Sequence, residues 1–391
     1  VDRKIFSDTQ TLIGYVEDFM SSFQVDGAGP KDFSNGFFGM LSFEGVSLFE
    51  DIKFQEHREI PFIHYTIFQN VLVFDHFSHS AMLYCFSPSG ESNLEEIEQL
   101  LDIKTFPSYG IKINPERISN LSDEDYLQNV GTGKKHCHQG DVFQVVLSRE
   151  YNRSYSGDEF NLYRSLRSVN PSPYMFYFDL PEFKLLGSSP ESQVKIEGDK
   201  VIISPIAGTV RRTGQDEEDR ILAQQLTEDP KESAEHVMLV DLARNDLGKV
   251  ATEVEVERFR ELHYYSHVIH LVSKVVGKIK KGISPIKVLG ETFPAGTLSG
   301  APKYRAMEII RDLEGLSRGM YGGSIGFIGL DGSMNQAIFI RSVLCSRQKI
   351  HYRAGAGVVN ASVPEKELQE VEHKLGAIEL AIERANENFG I

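Results

Sequence analysis

The stretch 174–203, YMFYFDLPEFKLLGSSPESQVKIEGDKVII, reads as four short strands joined by tight turns. The runs at 174–178, 184–187, 194–196 and 201–203 are rich in aromatic and β-branched residues, which suit a pleated sheet. Connections this short leave no room for a crossover helix, so the strands pair antiparallel. Outward from this core, a helix opens at Ser122 and ends near Gly140, and a strand follows at 142–148. Helical periodicity runs over 230–245 and again over 363–386. Strands are expected at 322–328, 337–344 and 350–352, beside Gly-rich turns. The first third is less patterned: strands at 37–43 and 70–74, a turn at 87–90 and a short acidic helix at 94–101. Strands in hairpins with isolated helices predict an α+β fold rather than regular βαβ units. No shift in composition marks a linker, so one large domain over 1–391 is expected, with 122–391 as its core and 1–115 its less patterned part.

Of 391 residues, 41% are hydrophobic and 25% charged, an ordinary globular composition. The 56 acidic residues exceed the 41 basic ones by 15, so a nucleic-acid partner is not expected. No apolar run approaches the ~20 residues of a membrane helix, and the start, Val1-Asp2-Arg3-Lys4, is not that of a signal peptide. Three scattered cysteines, Cys85, Cys137 and Cys345, argue for a reducing, cytoplasmic setting rather than a disulfide framework. His136-Cys137-His138 invites a zinc reading, but neighbours on a helix point apart and a fourth ligand is missing.

Two helix starts carry paired acids. Asp229 is a candidate N-cap and Pro230 suits the first helical position; Glu232 and Glu235 follow, three apart on one face that continues as Leu239 and Leu242. After Ser362, the residues Glu367, Glu370 and Lys374 line a second face, beside the stripe Leu368, Val371, Leu375 and Ile378. Four carboxylates bordering buried stripes suit an all-oxygen Mg²⁺ site. Glu232 and Glu365 also stand at the capping-box position, and acids complement a helix start, so on pattern alone solvated helix faces are the plainer account.

Three glycine-rich segments, Ser204 to Thr209, Phe293 to Pro302 and Ala354 to Val358, are expected as turns able to bring backbone N–H groups to an anion. None matches a nucleotide-phosphate motif. Arg341, after Ala337-Ile338-Phe339-Ile340, is either a solvated strand end or a carboxylate clamp.

In combination these segments resemble a known family. Gly140 to Ser148, Asn170-Pro171-Ser172-Pro173-Tyr174-Met175, Gly187 to Glu191, Pro205 to Thr209, Glu235 to Asp246, Tyr265 to His270 and Phe293 to Pro302 stand in the order found in chorismate-utilising enzymes, most like the component I branch of anthranilate synthases. The resemblance runs from about Ser122 to the C-terminus, with a weaker echo at 37–50. It implies a large sandwich of two antiparallel sheets, helices outside, with the active site in a cleft.

The resemblance also implies roles. Glu232, Glu235, Glu367 and Glu370 fall on the family's Mg²⁺ glutamates. Tyr321, Arg341, Gly355, Gly357 and Lys374 fall on positions that hold the enolpyruvyl carboxylate or line its pocket. Gly208, Thr209 and Thr297 fall on the ring and hydroxyl side. Glu191 matches the general acid that protonates the departing C4 hydroxyl, which needs a pKa raised by burial or like charge. His270 matches the histidine of the pyruvate elimination, as base or positioning group, with His267 a packed neighbour. Gln144 stands where water-adding relatives, the isochorismate and salicylate synthases, carry a lysine base. Ala207 stands where aminodeoxychorismate synthases carry a nucleophilic lysine. Both substitutions fit ammonia as the direct attacker, supplied by a glutamine amidotransferase subunit. Pro173, Tyr174 and Met175 match half of a feedback site for L-tryptophan, whose other half, Leu-Leu-Glu-Ser, is not found. A catalytically silent tryptophan-sensing relative is the non-enzyme alternative, against which the intact acids speak.

Overall fold

The computed structural model describes Lys4 and residues 8–24, 35–54, 60–87, 90–103, 109–265 and 268–390. The four strands expected in 174–203 are present as Tyr174–Asp179, Lys184–Ser189, Ser192–Glu197 and Lys200–Ile203. They divide between two sheets. The first pair belongs to an eight-stranded sheet and the second to a nine-stranded sheet, and every strand pairing in either is antiparallel. The chain therefore passes from one sheet to the other at Pro190-Glu191. A second passage lies beside it. The run expected as one strand at 337–344 is two, Met334–Ile338 in the nine-stranded sheet and Ser342–Ser346 in the eight-stranded one. Arg341 breaks it with φ of 49°, a left-handed backbone that cannot continue a strand. The two passages hold each other: the Ile338 N–H donates to the Glu191 carbonyl at 3.0 Å, and the Ser188 N–H to the Arg341 carbonyl at 3.3 Å.

Helices cover the sheets. Asp229 caps the Pro230–Val250 helix by accepting from the Glu232 N–H at 3.0 Å. That helix packs on Ile206–Arg211, Ala251–Tyr264 and Val268–Ile279 of the nine-stranded sheet. The Pro364–Phe389 helix packs on Lys349–Val358 of the eight-stranded sheet and on the Phe160–Val169 helix. Its Val371, Leu375, Ile378, Ile382 and Ala385, spaced three and four apart, are fully buried. Each larger aliphatic among them contributes ~1.5–3 kcal/mol of transfer free energy. The helix expected from Ser122 is Asp123–Gln139, with a Ser122–Asp125 capping box and a left-handed Gly140.

Three local expectations need correction. The segment 354–358 is no turn but the end of the Lys349–Val358 strand, its glycines serving close approach by neighbouring side chains. Ile206–Arg211 is likewise a strand, and its bulge at Gly208 (φ 80°) supplies the kink that the sequence suggested as a turn. Ser362 does not cap its helix. Its hydroxyl accepts from the Val359 N–H at 3.0 Å, and Val363 is the N-cap residue. The turn at 87–90 lies partly outside the described residues. No helix among the described residues is long and apolar enough to cross a membrane.

Candidate active site

The paired sheet passages bring Glu191 and Arg341 within electrostatic reach of each other where the chain crosses between the sheets. Glu191 is 8% exposed and accepts a hydrogen bond from the Thr297 hydroxyl at 3.0 Å. Burial pushes its carboxyl up to about 7, against the opposing pull of the Thr297 hydroxyl, Lys374 and Arg341. At neutral pH a large fraction of this carboxyl carries a proton. Arg341 is buried as well, its pKa lowered by burial although Glu191 acts to raise it.

On the adjoining bulged strand, Thr209 is opposite His270, and the Thr209 hydroxyl lies 2.8 Å from His270 Nδ1. Burial and then the Arg341 charge lower this imidazole to about 4, so it is neutral across physiological pH. His267 lies outside the described residues. Gly208 is required where it stands: a Cβ there would meet Leu226 at 2.7 Å and Glu232 Oε2 at 3.1 Å.

The Lys349–Val358 strand forms the opposite wall. Gly357 leaves room for Gln144, whose Nε2 would lie 2.4 Å from a Cβ at that position. Gln144 is 1% exposed and donates through Nε2 to Glu235 Oε1 at 2.8 Å. A Cβ at Gly355 would stand 3.0 Å from the Tyr321 hydroxyl. Lys374 donates to the Gly355 carbonyl at 2.8 Å and pairs with Glu370 at 2.7 Å. Gln144, Glu235, Gly355, Gly357, Tyr321, Lys374 and Glu370 are thus gathered around one strand end. Glu232 lies against Gly208 on the other wall, and Glu367 is buried below the helix start.

The four glutamates are half-buried or buried rather than spread over outer faces. Among the described residues no three acidic, His or Cys groups converge tightly enough to hold an ion as the side chains stand. Gln144 is bonded to Glu235 and Lys374 is paired with Glu370. His136 pairs instead with Asp141 at 2.7 Å, and the Cys137 thiol lies 3.4 Å from the Val358 carbonyl.

Pro173 lines a small cavity together with His270, Arg341 and Tyr265. Tyr174 and Met175 extend from it along the strand paired with Ser188 and Ser189. Met175 is exposed, and Lys195 sits 5.5 Å from the Tyr174 ring centroid.

One cluster had no signal in the sequence. Beneath Tyr321, Arg318 donates to the carbonyls of Leu298 and Val146 at 2.7 Å each and to both oxygens of Glu314 at 2.6 and 2.9 Å. Arg353 reaches Glu314 at 3.2 Å and Glu150 at 3.3 Å, and Glu44 accepts the backbone N–H groups of Arg318 and Gly319. Its members come from five separate elements at no fixed spacing. Leu298 follows Thr297 and Val146 is two residues from Gln144, so the cluster ties both walls together.

The model of the family described as chorismate binding enzyme matches residues 4–379. Over 384 residues the chain is 39% identical to anthranilate synthase component 1 of Saccharolobus solfataricus, covering 97% of this chain and 87% of that one. It is 49% identical over 272 residues to the component 1 protein of Aquifex aeolicus, covering 69% of this chain but 55% of that relative's length. Among solved structures it matches anthranilate synthase component I of Streptococcus pneumoniae with a TM-score of 0.83 and 32% identity, covering 93% of this chain and 85% of that chain. The menaquinone-specific isochorismate synthase of Escherichia coli shares the fold, with a TM-score of 0.74 at 21% identity. With the family model spanning nearly its whole length, the chain belongs to the chorismate binding enzymes.

Proposed function

We propose that this chain is the aminase component of an anthranilate synthase, converting chorismate and ammonia to anthranilate and pyruvate in tryptophan biosynthesis. The observation that carries the reading is Glu191: a buried carboxyl raised to about 7, held by Thr297 and faced by Arg341 and Lys374. A hydroxyl cannot leave a ring as hydroxide, and this group can hold the proton it needs at neutral pH. Arg341 and Lys374 offer cations to a substrate that carries two carboxylates. Gln144, a neutral amide fixed on Glu235, cannot deprotonate water, and the buried Ala207 offers no nucleophile, so addition at C2 falls to ammonia. Glu191 gives its proton to the C4 oxygen as nitrogen adds at C2. In the second step C2 loses its proton, the neutral His270 being the candidate acceptor, and pyruvate departs.

Glu232, Glu235, Glu367 and Glu370 would hold Mg²⁺. An oxygen-only donor set fits that ion, and Gln144 and Lys374 stand ready to release two of the carboxylates. When bound, Mg²⁺ supplies positive charge to the substrate's ring carboxylate, inverting the local sign of an acidic chain. The partner would be a glutamine amidotransferase subunit supplying ammonia. L-Tryptophan at Pro173, Tyr174 and Met175 is the regulator to test. Free cysteines at 85, 137 and 345 accord with a cytoplasmic setting.

The test is to incubate the chain with chorismate, Mg²⁺ and ammonium at mildly alkaline pH and follow anthranilate fluorescence. Isochorismate, salicylate, a para-amino product or no product overturns the assignment. Glu235→Gln is expected to weaken the Mg²⁺ dependence of binding and rate together.

A further inference from the structure

The helix that carries Glu232 and Glu235 continues the same face through Leu239, Leu242, Ala243 and Asp246, and these last four line a cavity of about 30 Å³. Glu191, Gln193, Thr292, Ala295 and Thr297 also line it, and it is partly open to solvent. That volume admits one or two waters, since ~10–15 Å³ of this measure suffices for one. The lining is polar where it matters. Gln193 is 2% exposed, and its Nε2 donates to the Thr292 carbonyl at 3.0 Å while its buried Oε1 has no partner among the described residues. Gln193 sits at a β-bulge, where the register between Ser192–Glu197 and Met334–Ile338 shifts, a device that re-aims a side chain beside an active site. Asp246 is 5% exposed and pairs with Lys303 at 2.7 Å, and Lys303 donates to the same Thr292 carbonyl at 2.8 Å. Nothing in the reaction as derived above uses Gln193, Asp246 or Lys303.

We propose that this cavity is a water site serving Glu191: it receives the water released at C4 and returns a proton to the Glu191 carboxylate, with Gln193 and Asp246 as positioning residues. The inference rests on the chorismate-aminating reading. In the step concerned, the Glu191 O–H bond breaks toward the C4 oxygen. The C4–O bond then breaks with its electron pair on oxygen, one water leaves, and Glu191 remains as carboxylate. Nitrogen added at C2 as ammonium sheds one proton, and one proton must come back to Glu191, so the cycle balances. A cavity of one or two waters bordered by Glu191, Gln193 and Asp246 offers a route for both transfers. The charged groups facing Asp246 are Lys303, Lys249 and Glu291, and those facing Glu191 are Lys374 and Arg341.

Gln193→Met keeps the side-chain length and removes the acceptor together with the Nε2 donor, leaving the Thr292 carbonyl to Lys303. Asp246→Asn keeps the shape and removes the charge. Both are assayed with chorismate, Mg²⁺ and ammonium, in H₂O and D₂O, alongside thermal melting. The expected result in each is a roughly tenfold fall in kcat, an unchanged KM for chorismate and a larger solvent isotope effect on kcat, the mark of a slowed proton transfer. Wild-type kcat and isotope effect in folded Gln193→Met overturn the proposal, and that variant decides if Asp246→Asn fails to fold. A wild-type chain that makes no anthranilate sinks the reading of the reaction. Silent variants in an otherwise active enzyme sink only the water site.

Discussion

Two buried glutamates show how this fold assigns opposite tasks to one side-chain type. Glu191 and Glu314 are 8% and 5% exposed. Burial alone would raise both. At Glu191 it wins, taking the carboxyl to about 7, because among the described residues a threonine hydroxyl is what hydrogen-bonds its carboxylate and the cations opposite act at longer range. At Glu314 burial loses. Arg318 and Arg353 outweigh it, and the backbone and hydroxyl of Ser148 add two more donors, so the carboxyl stays below its usual range. The first group can carry a proton to substrate. The second is a fixed negative charge that stitches together the carbonyls and strands on which the first depends. Proton availability thus follows from burial where no guanidinium makes direct contact to offset it.

The comparison breaks most visibly at its chemical end. Glu191→Gln keeps the Thr297 contact as an acceptor and removes the transferable proton. Turnover is expected to fall by ~10²–10⁴ while chorismate still binds, as read by anthranilate fluorescence and by titration calorimetry. A variant within tenfold of wild type would show that another group protonates the leaving oxygen. At the structural end, Glu314→Gln leaves Arg318 and Arg353 facing each other without their shared anion. Removing one member of a buried pair costs ~3–5 kcal/mol. A matching loss in denaturant midpoint is expected, with the surviving folded fraction retaining the pH profile of the parent. A loss under about 1 kcal/mol would mean that Glu150 and Glu44 already balance the arginines.

How far these two regions could be read in advance differs for a physical reason. The acids at 232, 235, 367 and 370 carried their spacing on helices, where positions three apart share a face. Glu191 was legible because its neighbours in order resembled a family. Nothing local announced that 184–189 and 192–197 belong to different sheets, or that Arg341 would break its strand with a left-handed backbone. Both facts arise from pairing between segments some 150 residues apart in the chain. The Ala354-Gly355-Ala356-Gly357 run suggests a turn and forms a strand for the related reason that glycine signals absent side chains, not their cause. Here the cause is the Gln144 amide and the Tyr321 hydroxyl pressing against a strand. The Glu314 cluster, drawn from five elements, has no periodicity to detect at all.

The pH dependence of stability sharpens the contrast by about 3 kcal/mol. Glu191 binds its proton more tightly folded than unfolded, so between its usual value of 4.5 and about 7 the native state holds the extra proton. Its contribution is fully present below pH 4.5 and is lost as pH rises toward 7. Glu44, also raised to about 7 by burial, behaves alike. His270 and His236, lowered to about 4 by burial, act oppositely: stability rises between pH 4 and 6.5 as the unfolded imidazoles lose their protons. Subtracting the melting curves of Glu191→Gln from wild type cancels the histidines and Glu44. The variant is expected to gain relative stability across pH 4.5–7, by on the order of 3 kcal/mol at the top. A flat difference would mean that Glu191 is ionised in the folded chain, and its role as acid would go with it.

The smallest expected effect tests the wall opposite. Gly357→Ala places a Cβ 2.4 Å from Gln144 Nε2, an atom that is not a free end because it is buried and bonded to Glu235. The amide must leave Glu235 or the strand must shift, at ~1–3 kcal/mol. Because the proposed reaction places Gln144 at the substrate, kcat/KM is expected to fall further than the melting temperature suggests. Gly376→Ala supplies the control. It stands exposed in the Pro364–Phe389 helix with no heavy atom within 4 Å of the added carbon, so it is expected to stabilise by ~0.5–1 kcal/mol and leave kcat/KM alone. If both alanines behave alike, the glycine at 357 is a matter of strand conformation, and Gln144 is not held where the branch between water and ammonia would need it.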